Sequence, residues 1–180
     1  MAEQTGGALD PTISPLVTAW GFISGEYHIP TEDELTDLLQ SVDYENVFSE
    51  GNFVTLPDGM QLDLGAVGNG YTGAIIDELL QEQGITSALL DIGGNIQMIG
   101  RKPDGSRWRL GIQNPFGEGS LGILESEDGA VVTSGNYDRY FIGQDGKQYG
   151  HIIDPSTGYP ADSGLASASI LSTAGKLCDA

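Results

Sequence analysis

A chain of 180 residues, 39% hydrophobic and 18% charged, has the composition of a soluble globular protein able to bury a core, and one domain is expected. Seven Lys and Arg stand against 26 Asp and Glu, for a net charge of -19, and every base lies beyond Gly100: Arg101, Lys102, Arg107, Arg109, Arg139, Lys147 and Lys176. Phosphate backbones need a basic surface to displace their counterions, so this balance argues against a nucleic-acid partner and disfavours an anionic membrane.

An anionic ligand would have to be met by backbone amides, helix N-termini or a bound metal. Cys178 is the single cysteine, so no internal disulfide can form and the redox compartment stays open. No apolar run has the length of a signal core or a membrane-spanning helix.

In chain order, Gly6-Gly7-Ala8-Leu9-Asp10-Pro11 reads as a tight loop feeding a helix, with Asp10 as N-cap and Pro11 at the first helical position. Ile13, Leu16, Val17 and Trp20 share one face of it, and Gly21 ends it; Pro15 is awkward there unless the helix restarts after Ser14. Thr31-Glu32-Asp33-Glu34 is a capping box ahead of Leu35, Leu38, Leu39 and Val42 at helical spacing. The pattern then turns to strands, with Phe53 to Leu56 and Met60 to Leu64 joined as a hairpin through Pro57-Asp58-Gly59. Gly65 to Gly70 reads as a glycine loop entering a helix marked by Ile75, Ile76, Leu79 and Leu80 and closed by Gly84.

Ser87 to Ile92 is a short apolar strand that runs into Gly93-Gly94-Asn95 and continues through Ile96 to Ile99. Beyond Gly100 hairpins dominate: Trp108 to Gln113, Gly122 to Glu125, Ala130 to Thr133, Tyr137 to Ile142 and Gln148 to Ile153, followed by a small-residue strand from Ala166 to Leu171. Ser172 or Thr173 then caps a last helix that carries Asp179 and has barely two turns before Ala180. The fold class is α+β, antiparallel β-sheets with helices packed outside.

Several stretches can carry chemistry. His151-Ile152-Ile153-Asp154-Pro155-Ser156-Thr157-Gly158 sets an imidazole before a loop that Pro155 and Gly158 make rigid, which suits a general base or an ordinary strand histidine beside a turn-forming Asp154. Gly65 to Gly70, spaced G-x-x-G-x-G, is neither the dinucleotide fingerprint nor a P-loop; it is an anion cradle at a helix start or a plain tight connection. Asp63 and Asp91 end strands, where a carboxylate either caps a loop or accepts from a base or ribose edge. Thr133-Ser134-Gly135-Asn136-Tyr137 is a second turn rich in small donors, with Arg139 after it as a ligand cation or a structural ion pair. Asp179 is a metal ligand or a solvated helix carboxylate. His28, in Tyr-His-Ile-Pro, has no matching company and reads as surface.

Taken together, Leu9-Asp10-Pro11-Thr12-Ile13-Ser14-Pro15-Leu16-Val17 ending in Trp20-Gly21-Phe22, Asp63-Leu64-Gly65-Ala66-Val67-Gly68-Asn69-Gly70-Tyr71, Asp91-Ile92-Gly93-Gly94-Asn95, Thr133-Ser134-Gly135 and His151 to Gly158 resemble the ApbE family of FAD:protein FMN transferases. The likeness runs over nearly the whole chain in order. It implies a T-fold-like core over residues 1–180, cut short at both ends, with FAD between the 1–100 and 101–180 halves. The implied activity is Mg²⁺-dependent transfer of FMN from FAD to a Thr or Ser hydroxyl of a target redox protein, with release of AMP. Other enzymatic and binding readings are an Mg²⁺-dependent FAD pyrophosphatase and a non-catalytic FAD-binding module.

By the same resemblance His151 is the general base. Ala8, Leu9, Asp10, Asp63, Asn69, Thr133, Ser134, Gly135 and Ile153 are FAD contacts, and the Ala66 carbonyl and the Asp179 carboxylate are metal ligands. Asn69 stands where many members carry lysine, and a threonine that assists the metal in the family would fall beyond Ala180. The implied partner is an acceptor subunit of a flavin-dependent redox complex. The implied compartment is extracytoplasmic, with a membrane tether.

Overall fold

Trp20 and Leu16 are fully excluded from solvent in the computed structural model, which describes residues 1–180, and the segments around them show what holds the N-terminal region together. In chain order the regular elements are α1 (Ser14–Ala19), α2 (Glu32–Leu39), β1 (Phe48–Glu50), β2 (Phe53–Thr55), α3 (Gly65–Glu82), β3 (Ala88–Ile92), β4 (Asn95–Ile99), β5 (Trp108–Gln113), β6 (Ser120–Ser126), β7 (Gly129–Gly135), β8 (Tyr140–Ile142), β9 (Gln148–Gly150) and β10 (Ser167–Ser172). Every pairing between strands is antiparallel, as the α+β reading requires. No helix is long and apolar enough to cross a membrane. The chain forms two units, Met1–Leu64 with Asn136–Gly164, and Gly65–Gly135 with Leu165–Ala180.

The first unit is built on α1 and α2. The capping box forms as its sequence predicts: the Thr31 hydroxyl accepts from the Glu34 amide at 3.2 Å, and Glu34 Oε2 accepts from the Thr31 amide at 2.7 Å. Leu35 on α2 then joins Leu16, Trp20, Phe22 and Ile153 in one buried cluster, flanked by Ile29, Phe141 and Tyr149. The Trp20 indole donates to the Gly158 carbonyl at 2.8 Å, which fixes the loop after His151 to α1. That loop closes on itself, with Asp154 Oδ1 accepting from the Ser156 amide and hydroxyl at 2.8 and 2.6 Å, and the Asp154 carbonyl accepting from the Gly158 amide at 2.8 Å. Gly158 has φ 74°, and a Cβ there would lie 3.2 Å from Leu16 Cδ2 and 3.3 Å from Leu35 Cδ2. Only glycine meets both the backbone demand and the space.

The second unit is a four-stranded sheet in the order β10-β7-β4-β3, with α3 against it. Ala130, Val132 and Cys178 form its small buried cluster, and Met98, Ile99 and Val131 are buried in the same sheet. Gly84, at φ 81°, closes α3 as expected, its amide donating to the Gln81 carbonyl at 2.9 Å.

Several elements differ from their sequence reading. Asp10 does not cap α1: the helix begins at Ser14, Ile13 is the residue before it, and Pro15 occupies the first turn, where a missing N–H costs nothing. The hairpin before α3 uses Gly51-Asn52 and pairs β1 with β2, whereas Met60 to Leu64 is no strand and Gln61 instead forms a parallel bridge with Ile13. Two turn signals competed there, and long-range pairing decided. Gly65 to Gly70 is helical, being the start of α3 itself. β3 does not continue into β4 but reverses at Gly93-Gly94, whose φ values of 61° and 91° suit a tight hairpin turn. Thr133 to Gly135 is the end of β7, paired with Ser169 to Ser167 of β10. The strand expected from Tyr137 begins only at Tyr140, and Ile153 contributes an isolated bridge to Pro160. After β10 there is a single 3-10 turn, Gly175–Leu177, and Asp179 follows it.

Replacing Gly158 by alanine should lower the stability of the protein by about 1–3 kcal/mol, because a Cβ at positive φ is strained and has no room. Urea unfolding measures this, and an unchanged midpoint would show that the loop is not seated as described.

Candidate active site

In the first unit the backbone of His151 is set by β8 and β9: its amide donates to the Arg139 carbonyl at 3.1 Å, and its ring Nδ1 lies 3.1 Å from the same oxygen. A carbonyl can only accept, so Nδ1 carries the proton in the neutral ring and Nε2 keeps a free lone pair. Burial is the main influence and pushes the imidazole below its ordinary value; the Arg139 carbonyl opposes it, the Arg139 charge adds to it, and Asp138 opposes it. The neutral, proton-accepting form is therefore favoured at neutral pH. Arg139 is itself held, its Nη2 donating to the Phe22 carbonyl at 2.8 Å, and the Phe22 ring stands edge-on to His151 at 6.3 Å.

The same unit holds the loop of Ala8, Leu9 and Asp10, which is tied to Asp63 through Pro11. The Asp63 amide donates to the Pro11 carbonyl at 2.7 Å, next to the Ile13–Gln61 bridge. Asp10 is buried and its carboxylate is engaged: Oδ1 accepts from the Thr12 amide and hydroxyl at 2.8 and 2.6 Å, and Oδ2 from the Tyr44 amide at 3.1 Å. It shapes the loop that presents Ala8 and Leu9. Ile153 has its side chain in the core cluster, two residues from His151. His28 lies on the surface, its Nε2 3.6 Å from Glu34 Oε2.

In the second unit the first turns of α3 bring Ala66 and Asn69 next to Gly70, whose amide donates to Asp179 Oδ2 at 2.9 Å across 109 residues of sequence. In an α-helix that amide also points back toward the carbonyl four residues earlier, here Ala66, so the two expected metal-ligating oxygens converge on one amide. A Cβ on Gly93 would come within 3.4 Å of Asn69 Nδ2, which places Asn69 by the β3–β4 turn. Asp91 does cap that turn, its Oδ1 accepting from the Gly94 amide at 2.9 Å. Thr133 shares its hydroxyl with Ser169 at 2.7 Å, and Ser134 and Gly135 face Ala168 and Ser167 across the strands.

Two features were not read from the sequence. Gly70 was one glycine among several; its spacing from Gly73 and Ala74, small residues along one helix face, was the available signal. Asn136 reads in the sequence as one small donor of a turn, yet its Oδ1 is buried without a hydrogen-bond partner and lies where a Cβ on Gly150, the residue before His151, would stand.

All seven bases are already engaged. Arg101 and Arg107 contact Glu127, Arg109 contacts Glu125, Lys147 lies by Asp145, Lys176 contacts Glu78, Lys102 sits over the Trp108 ring, and Arg139 holds the Phe22 carbonyl. No group of three or more His, Cys, Asp or Glu gathers as for a transition metal. One carboxylate and one main-chain carbonyl form the sparse, hard-oxygen set that Mg²⁺ takes when substrate phosphates complete its shell, so the residues present fit that ion.

The family model of the ApbE family matches residues 1–180. The chain belongs to the ApbE family. Its ApbE relatives include an FAD:protein FMN transferase of Vibrio cholerae, 37% identical over 93% of this chain and 51% of the relative, and one of Treponema pallidum, 37% identical over 94% and 51%. The ApbE crystal structure from Thermotoga maritima matches with a TM-score of 0.90 at 33% identity, over 99% of this chain and 60% of that one. The apo flavinyl transferase ApbE of Pseudomonas stutzeri matches with 0.86 at 29% identity, over 99% and 56%. The chain spans about half the length of the curated ApbE relatives it matches.

The lowered His151 value has a sign that can be checked. A folded pKa below the unfolded one means that neutral His151 stabilises the fold fully above the ordinary imidazole value of about 6.5, and that this contribution is lost as pH falls through the folded value. An NMR titration of the His151 ring should give a midpoint below that of an unfolded reference peptide, and His151→Gln should flatten the acid side of the stability profile. A midpoint above the reference would refute the assignment.

Proposed function

We propose that the protein transfers FMN from FAD to a Thr or Ser hydroxyl of an acceptor protein in a flavin-dependent redox complex and releases AMP. The observation that carries this reading is the His151 ring, pinned through Nδ1 and biased towards its neutral form by burial, so that Nε2 is free to take a proton. The names of the relatives support the same chemistry.

The acceptor hydroxyl gives its proton to His151 Nε2 while its oxygen forms a bond to the flavin-side phosphorus. The bond from that phosphorus to the bridging oxygen breaks, and AMP leaves with that oxygen. A hydroxyl has a high pKa, so a base within hydrogen-bond reach is needed, and removal of such a base typically costs 10²–10⁴-fold. Mg²⁺, when bound, would offset the charge on the diphosphate. Ala66 and Asp179 are the residues proposed to hold it, since no Lys or Arg is free to do the same work. Ala8 and Leu9 on the loop shaped by Asp10, together with Asp63, Asn69 and the Thr133-Ser134-Gly135 strand end, are the proposed FAD contacts. Ile153 borders the site through its main chain. An extracytoplasmic, membrane-tethered setting belongs to the same proposal.

The test is incubation with FAD, Mg²⁺ and a candidate acceptor, with the acceptor weighed for an added FMN mass. Transfer is expected to fall by about 10²–10⁴-fold in His151→Ala and to stop on chelation with EDTA. AMP release without a mass gain would replace transfer by hydrolysis, and FAD binding with neither product would leave a binding module. Undiminished transfer by His151→Ala would reject the proposed base.

A further inference from the structure

Gly70 sits at a crowded crossing. A Cβ built on it would lie 2.9 Å from Asp179 Cβ, too close for a side chain, and 3.0 Å from the Gly175 carbonyl oxygen, tight enough that this backbone would have to give way; neither atom is the end of a flexible group. Gly175 is equally tight on its other side, where a Cβ would meet Gln97 Oε1 at 2.7 Å and Ala130 Cβ at 3.4 Å. Residues 175–179 are therefore wedged between α3 and the β4–β7 part of the sheet. Burial of Cys178 against Ala130 and Val132 holds them there, as does the Lys176–Glu78 ion pair at 2.7 Å. By contrast, a Cβ on Gly68, half a turn earlier on the same helix, would meet nothing within 4 Å.

A carboxylate has two oxygens. The Gly70 amide takes Asp179 Oδ2 at 2.9 Å, which fixes the orientation of the group and turns Oδ1 into the oxygen left for another partner. The same amide lies next in the helical ladder to the Ala66 carbonyl. We infer that Gly70 is a positioning residue for the divalent cation: its missing side chain admits residues 175–179 to the helix, and its amide orients Asp179 so that a carboxylate oxygen and the Ala66 carbonyl face one ion. The inference rests on the Mg²⁺ reading given above.

Mn²⁺ alone serves as the probe, with the free ion followed by EPR. The unsubstituted chain should bind one Mn²⁺, and Gly70→Ala should bind it at least about tenfold more weakly, the usual loss when the group orienting a metal ligand is removed. Gly68→Ala should bind as the unsubstituted chain does, which separates positioning from a general effect of alanine on the helix. NMR supplies a second measurement should Gly70→Ala fail to fold. Asp179→Asn, which still offers an oxygen to the amide, should leave the Gly70 amide signal near its original position while Mn²⁺ affinity falls, whereas Asp179→Ala should move that signal.

Equal Mn²⁺ affinity in Gly70→Ala, an equal loss in Gly68→Ala, or a Gly70 signal indifferent to Asp179→Ala would overturn the inference. Absence of Mn²⁺ binding by the unsubstituted chain, with the Asp179-dependent Gly70 signal intact, would instead remove the metal reading on which it stands.

Discussion

A hydrogen bond between residues 138 apart, from the Trp20 indole to the Gly158 carbonyl, is the constraint on which the first unit depends. It joins the fully buried residue that closes α1 to the loop that follows His151, and it acts together with the seating of Gly158 against Leu16 and Leu35 and of Ile153 in the core cluster. The loop's internal bonds through Asp154 give it shape; the indole gives it a place. The stacked rings of Phe141 and Tyr149 lie against Trp20, at centroid separations of 6.3 and 5.2 Å, and carry the constraint back to β8 and β9. His151 begins where those strands end. Placement of the imidazole is thus a packing result before it is a chemical one, since the burial that lowers its proton affinity belongs to the same cluster.

The second unit solves a different problem. It brings a carboxylate near the end of the chain to the beginning of a helix without giving up the helix, and it does so with small residues. Gly70 and Gly175 let two backbones approach, a Cβ on Gly73 would already touch Ile92 Cδ1 at 3.4 Å, and Gln97 ties β4 to Asp77 on α3 at 2.7 Å. Of the glycines that look like a flexible loop in the sequence, Gly70 is a contact surface, whereas Gly68 faces open space. Within α3, Gly70 and Gly73 each cost roughly 1 kcal/mol of helix propensity relative to alanine, a loss that the docking of residues 175–179 must outweigh.

What could be read beforehand followed from how local the cause was. The Thr31–Glu34 capping box, the Gly84 helix end and the Asp154–Gly158 turn are each settled by residues a few positions apart, and all appear as expected. The β1–β2 pairing was not legible, because Gly51-Asn52 and Pro57-Asp58-Gly59 are both sound turns and the choice was made by Gln61 bridging to Ile13. Asp10 has the right residue type for a helix cap, but its carboxylate is claimed by Thr12 and, from far along the chain, by Tyr44. For the site, the isolated histidine before a rigid loop could be picked out from its neighbours. The Gly70–Asp179 contact could not, since nothing near either residue announces a partner so distant.

The engagement of every Lys and Arg also bears on the solvent this molecule prefers. Each base is matched to a carboxylate, a ring or a carbonyl, and most of the 26 acids have no cation within reach. Like charges crowded on one small surface repel, and dissolved ions shorten that repulsion to about 10 Å at 0.1 M. The exposed pairs that salt would weaken are worth only about 0–1 kcal/mol each. Brine should therefore steady this protein, and very dilute buffer should loosen it.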